Sequence, residues 1–223
     1  MKRAVILFSL LWLISLPSLA HEHWLLVEKT RAHPGEIIKF YLASGHNFPN
    51  SDLQIAQKLI KEVKVILPSG QKQELKLNPE KNYWWGEIEL EEKGVYQFYF
   101  LLSKPQLKKP LYLGKTIIAV GESPSKISAL NLKEDIIELV PLTSPLGLKK
   151  GDILKLMLRK GEKPIAGSIQ VIPEEGKNWY IQTDAQGRVE IPLRKSGKYL
   201  VVAEIQGQGC SFTFEVKEGK NEK

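Results

Sequence analysis

Beyond residue 20 the chain alternates apolar and polar side chains with a period of two, the signature of half-buried strands. The alternation is clear over 23–29, 36–43, 63–67, 87–90, 95–102 and 116–120. Pro68-Ser69-Gly70 and Lys93-Gly94 supply turns between these runs. One stretch departs from the period: Leu53, Ala56, Gln57 and Ile60 stand at helical spacing, which predicts a short helix within 52–61. Residues 21–121 therefore read as a β-sandwich with a small helical insert. A segment with Pro124 and several small or polar residues, 122–135, reads as a linker. Seven further short strands are expected over 136–142, 153–159, 167–172, 179–183, 188–193, 198–205 and 210–216, with Asp184-Ala185-Gln186-Gly187 as a turn. Their number and spacing fit an immunoglobulin-like sandwich over 136–217, followed by a polar tail, 218–223. The expected fold class is all-β, with two tandem β-sandwich (immunoglobulin-like) domains.

The first twenty residues have a different pattern. Lys2 and Arg3 precede an apolar run, 4–16, and then Pro17-Ser18-Leu19-Ala20. A basic start, a short apolar core and small residues at 18 and 20 predict a secretory signal peptide cleaved after Ala20. The run falls short of the roughly 20 apolar residues that cross a bilayer, and no later window is apolar enough to do so. The expected location is the periplasm. The formal charge of +7 falls to 30 basic against 25 acidic residues once Lys2 and Arg3 leave. This mild excess is spread along the chain and does not call for a nucleic-acid partner.

A single cysteine excludes an intramolecular disulfide and any multi-thiolate zinc or iron–sulfur site. Cys210 shares parity with Phe212, Phe214 and Val216 and reads as a buried, inert thiol. Tyr83, Trp84 and Trp85 read as a strand packing on the core rather than a sugar or peptide groove. Gly114-Lys115-Thr116 lacks the upstream glycine of a phosphate loop. Ser123-Pro124-Ser125-Lys126 has Ser-x-x-Lys spacing without the helix that chemistry uses. With no nucleophile–base or carboxylate pair supported by spacing, the chain is expected to bind rather than catalyse.

All four histidines, His21, His23, His33 and His46, fall between residues 21 and 46, and none follows. Histidine is the commonest metal ligand where thiols are scarce. Cleavage after Ala20 would free the amine of His21. Two N-terminal chelates are then open. In one, the amine, the amides of Glu22 and His23 and the His23 imidazole form a square plane, an arrangement Cu²⁺ and Ni²⁺ prefer. In the other, the amine and imidazole of His21 form a brace completed by another histidine, and the amides stay free. A hairpin turning about His33 makes opposed positions sum to about 66, placing 45 opposite 21 and His46 beside the chain start. His33, at the turn, is roughly 30 Å away at 3.3 Å per residue. The candidate metal ligands are His21, His23, His46 and Glu22, with Asp52 and Glu28 as weaker carboxylate candidates. Affinity is expected to fall below roughly pH 6 as imidazoles protonate.

Several segments together resemble a known family: Ala20-His21-Glu22-His23-Trp24-Leu25, Gly45-His46-Asn47-Phe48-Pro49, Glu138-Leu139-Val140-Pro141-Leu142, Leu148-Lys149-Lys150-Gly151-Asp152, 161–167 and 183–188. They are similar to exported proteins of the domain of unknown function 4198 family, labelled as a periplasmic component of nickel/cobalt ABC-type transport systems. The resemblance implies a metal-binding accessory of a membrane metal transporter, with Ni²⁺ or Co²⁺ as the ion and His21, His23 and His46 as candidate ligands. A weaker resemblance, to periplasmic copper-resistance sandwiches that begin with histidine, keeps Cu²⁺ as an alternative. Two rivals remain: a copper oxygenase with a histidine brace, and a scaffold or adhesion module in which the histidines are incidental.

Overall fold

The computed structural model describes residues 21–104, 110–122, 127–130, 132 and 135–219. The expected signal peptide, 1–20, and much of the 122–135 linker lie outside the described residues. The strands are β1 (Glu22–Val27), β2 (Arg31–Ala32), β3 (Glu36–Gly45), β4 (Ile60–Ile66), β5 (Lys72–Glu74), β6 (Asn78–Pro79), β7 (Trp84–Leu90), β8 (Gly94–Leu102) and β9 (Tyr112–Val120). They continue with β10 (Ile137–Pro141), β11 (Leu148–Lys149), β12 (Ile153–Lys160), β13 (Lys163–Pro164), β14 (Ser168–Pro173), β15 (Trp179–Gln182), β16 (Arg188–Pro192), β17 (Gly197–Ile205) and β18 (Gln208–Lys217). The protein is all-β among the described residues, as the period-two pattern predicts.

The two sandwiches are built on opposite faces of one sheet. Its strand order is β15-β14-β17-β18-β9-β8-β4-β5, and β9 and β18 pair in parallel from Tyr112↔Gly209 to Thr116↔Thr213. A smaller sheet, β1-β3-β7-β6, covers one face; another, in which β12 pairs with β10, β13 and β16, covers the opposite face. The strands at the seam are therefore buried on both sides. In β8, Tyr96, Phe98 and Phe100 pack with Phe40 and Leu42 of the first sandwich, while Tyr99 and Leu101 pack with Leu156, Val201 and Phe212 of the second. Such two-sided burial produces a nearly continuous apolar run instead of strict alternation.

An ionic joint, fully buried at Lys115 and Glu138 and partly at Arg159, crosses the seam. Lys115 on β9 donates to Glu138 Oε1 on β10 at 2.6 Å, and Arg159 on β12 grips Oε2 through Nε and Nη2 at 3.1 and 2.9 Å. The Leu130 N–H donates to the same carboxylate at 3.1 Å. Burial pushes the Glu138 pKa up, but Lys115, the Leu130 amide and Arg159 outweigh it and hold the carboxyl below its ordinary value. Cys210 lies in the second core, and burial raises its thiol pKa, in keeping with an inert cysteine.

One expected element is corrected. The predicted helix within 52–61 is a single 3₁₀ turn, Gln57–Leu59. Leu53 bridges to Ser44, the Gln54 amide donates to the Glu80 carbonyl at 2.7 Å, and Trp84 Nε1 donates to the Ile55 carbonyl at 2.7 Å. Ile60 then pairs with Leu102 as the start of β4. With its backbone partners supplied from outside, the segment runs extended although its apolar spacing is helical.

Candidate metal centre and adjoining cleft

β1 and β3 form the antiparallel pair on which the histidines depend. Glu22 faces Gly45 and His23 faces Ser44, so the register is one residue from the expected one. The shift seats His46 against His21, with ring centroids 4.6 Å apart and planes tilted by 32°. His46 is set by its loop: its N–H donates to Asp52 Oδ2 at 2.8 Å, and Asn47 Nδ2 donates to Oδ1 at 2.9 Å. These bonds hold the Asp52 carboxyl below its ordinary range. Gly45 makes the turn at φ +148°, and a Cβ there would lie 2.5 Å from Asp52 Oδ2. Asp52 thus positions the loop with both its oxygens, one on the His46 backbone and one on the Asn47 side chain.

His23 has a different environment. Its Nδ1 is hydrogen-bonded to Ser44 Oγ at 2.9 Å, and its ring meets Tyr112 edge-on with centroids 5.0 Å apart. The Tyr112 hydroxyl donates to the His23 carbonyl at 3.1 Å. Burial, and then the neighbouring His21, lower the His23 pKa to about 4, so the ring is neutral at neutral pH. Glu22 is raised to about 7 by burial and then by the charge of Glu204. His33 sits in the hairpin turn with its N–H on Glu36 Oε2 at 2.9 Å.

Among the described residues, no three His, Cys, Asp or Glu side chains group so as to hold a metal ion. Of the sequence-predicted ligands, His21 and His46 meet, His23 is engaged by Ser44 and Tyr112, and Glu22 shares a cleft with Glu204. A third nitrogen for His21 and His46 would come from the α-amine that cleavage after Ala20 exposes.

The backbone bears on the choice between the two N-terminal chelates. The Ser44 N–H goes to Ser51 Oγ at 3.0 Å, and its carbonyl accepts from Asp52 and Leu53 at 2.9 and 3.2 Å. Ser44 is therefore turned away from β1, so the ladder bonds fall on the alternate residues, Glu22, Trp24 and Leu26. The Glu28 N–H to Lys39 carbonyl bond, at 3.0 Å, continues that alternation. A square plane that deprotonates the Glu22 amide would break the first rung, whereas the His21 brace leaves it intact.

Beside the histidines lies a cleft of about 520 Å³, lined by His21, Glu22 and His23 on one side and by Gln170, Tyr180 and Glu204 on another. Ser44, Tyr112 and Glu204 are contributors that sequence reasoning missed. Tyr112 and Glu204 lie far along the chain from β1, and only the β9–β18 and β17–β18 pairings bring them in.

The matching family model has no assigned function. Residues 106–207 match the family described as Domain of unknown function (DUF4198). The matched segment runs from the approach to β9 through the β17–β18 turn and contains none of the four histidines. No curated protein matches this chain. Solved structures with some likeness include Salmonella alpha-2-macroglobulin reacted with methylamine, at 12% identity and TM-score 0.31; 87% of this chain is covered but only 15% of that one. FdeC, an Escherichia coli adhesin, is 13% identical over 88% of this chain and 65% of its own, with TM-score 0.28. A chimeric titin Z1Z2-Z1Z2 tandem is 10% identical over 89% and 99%, with TM-score 0.27. At these scores the likeness carries no functional argument.

Proposed function

We propose that this is an exported divalent-metal-binding protein that takes Ni²⁺ or Co²⁺ as cargo and serves as accessory to a membrane metal-uptake transporter. The observation that carries the reading is the contact between the His21 and His46 rings, 4.6 Å apart, at the start of β1. The binding set is the freed amine and imidazole of His21 with the imidazole of His46. His23, neutral and turned by Ser44 and Tyr112, buttresses the strand that carries them. The family resemblance supplies the transport role, and export supplies the free amine. A second reading, Cu²⁺ handling, is favoured by an all-nitrogen donor set, which suits a tetragonal ion.

The test is intact mass plus metal titration of protein secreted to a periplasm. A mass beginning at His21 and one tight Ni²⁺ or Co²⁺ per chain support the reading, and tighter Cu²⁺ shifts it to copper handling. His46→Ala is expected to weaken binding by roughly 10- to 100-fold, and acetylation of the amine to abolish it. Full affinity after both changes would remove the N-terminal site.

A further inference from the structure

The face of the large sheet turned away from the second core is only half covered. Ile172 on β14 and Leu200 on β17 lie under Trp24 and Phe48, which fill that part of the face. The same face continues past them to Ser168, Gln170, Tyr180 and Glu204. Gln170 pairs across to Val202 on one side and to Tyr180 on the other. Nothing among the described residues covers this end, and Tyr180 is left 69% exposed. The ends of β9 and β8 continue the same sheet, the start of β1 lies beside them, and residues of all these strands line the cleft of about 520 Å³. That lies within the roughly 300–1,000 Å³ of small-molecule sites and far exceeds what a bare ion fills.

The walls are chemically divided. Leu59, Leu102, Leu111 and Val202 give the cleft an apolar body. Glu22 enters from β1 and Glu204 from β17, and both line this one cleft. Among the described residues no salt bridge pairs either carboxylate with a cation, and Lys104 is the one lysine or arginine among the described lining residues, to which a chain beginning at His21 adds its terminal amine. Two like charges converging across an apolar space favour a ligand that brings the opposite charge. The exposed Tyr180 ring adds a face on which a cation or a flat apolar group can lie.

We propose that this cleft binds a small organic cation, an amine or amidine with an apolar body, whose charged end lies between Glu22 and Glu204. The site does not depend on the metal reading, and its test is run on chelator-treated protein with its natural start. The probes are 2-phenylethylamine, benzamidine and benzyltrimethylammonium, set against neutral 2-phenylethanol and anionic phenylacetate, followed by calorimetry. At least one cation is expected to saturate the protein and to outbind both controls. Glu204→Gln should weaken it roughly ten-fold, and Lys104→Glu should tighten it. His46→Ala, which lowers metal affinity under the reading above, should leave cation binding unchanged. Phenylacetate or 2-phenylethanol binding as tightly as the best cation, equal affinity in Glu204→Gln, or saturation by none of the three cations would overturn the proposal.

Discussion

The Asp52 carboxylate accepts the His46 N–H with one oxygen and the Asn47 amide with the other, while packing where a side chain at residue 45 would stand. Gly45→Ala is therefore expected to cost about 1–3 kcal/mol, through both the positive φ and the displaced carboxylate. Chemical denaturation would measure that loss, and the same variant should bind metal more weakly because His46 moves. The sequence pattern pointed to His46, since hairpin geometry alone puts it beside the chain start. It read Asp52 as a weak ligand candidate, because nothing in the spacing shows that a carboxylate is consumed by two neighbouring N–H groups. Glu138 makes a second residue-scale case. Glu138→Gln leaves Lys115 and Arg159 without their counter-charge in the core and is expected to destabilise by about 3–5 kcal/mol. Because the folded carboxyl titrates below the ordinary 4.5, its contribution is full above that value and is lost as the pH falls through the lower folded value. Wild-type stability should drop through that acid window, and the drop should shrink in Glu138→Gln; identical acid profiles would count against it.

Among the elements, β8, β9 and β18 show why strand positions were legible and their partners were not. A run such as Tyr96 to Leu102 is apolar at odd and even positions alike, which signals burial on both faces, yet it does not say that the second face belongs to another sandwich. The parallel β9–β18 ladder joins residues nearly a hundred positions apart, and no local period encodes that. The helical spacing in 52–61 misled for the converse reason: its apolar positions serve three separate neighbours, Ser44, Trp84 and the first core. The ladder is also tight. A Cβ on Gly209 would stand 2.4 Å from the Tyr112 ring, and Tyr112 holds His23 through its hydroxyl and ring. Gly209→Ala should push Tyr112 toward the cleft and disturb His23 without touching it. The His23 ring resonances, followed by NMR, should shift in this variant, and an unmoved spectrum would disprove the coupling.

At the scale of the molecule, two sandwiches that share a sheet and an ionic joint should not melt separately. Calorimetry, tryptophan fluorescence and far-ultraviolet dichroism are expected to report one coincident transition. Two resolved transitions would show that the seam contributes little. The fragment 136–219, which lacks β9 and the Tyr99, Leu101, Leu113 and Ile117 side chains of its own core, is expected not to fold to a well-ordered state alone. β18 lies between β17 and β9, in the interior of the large sheet, although it is the last strand in chain order. A polypeptide emerging from its amino end can close the first core early, but it must hold a gap open until its final strand arrives to fill it. The cleft draws His21, Glu22 and His23 from the beginning of that passage and Glu204, Gly207 and Gly209 from near its close. The cleft is consequently complete only when the last strands are in place, and a truncated chain would lack its Glu204 wall.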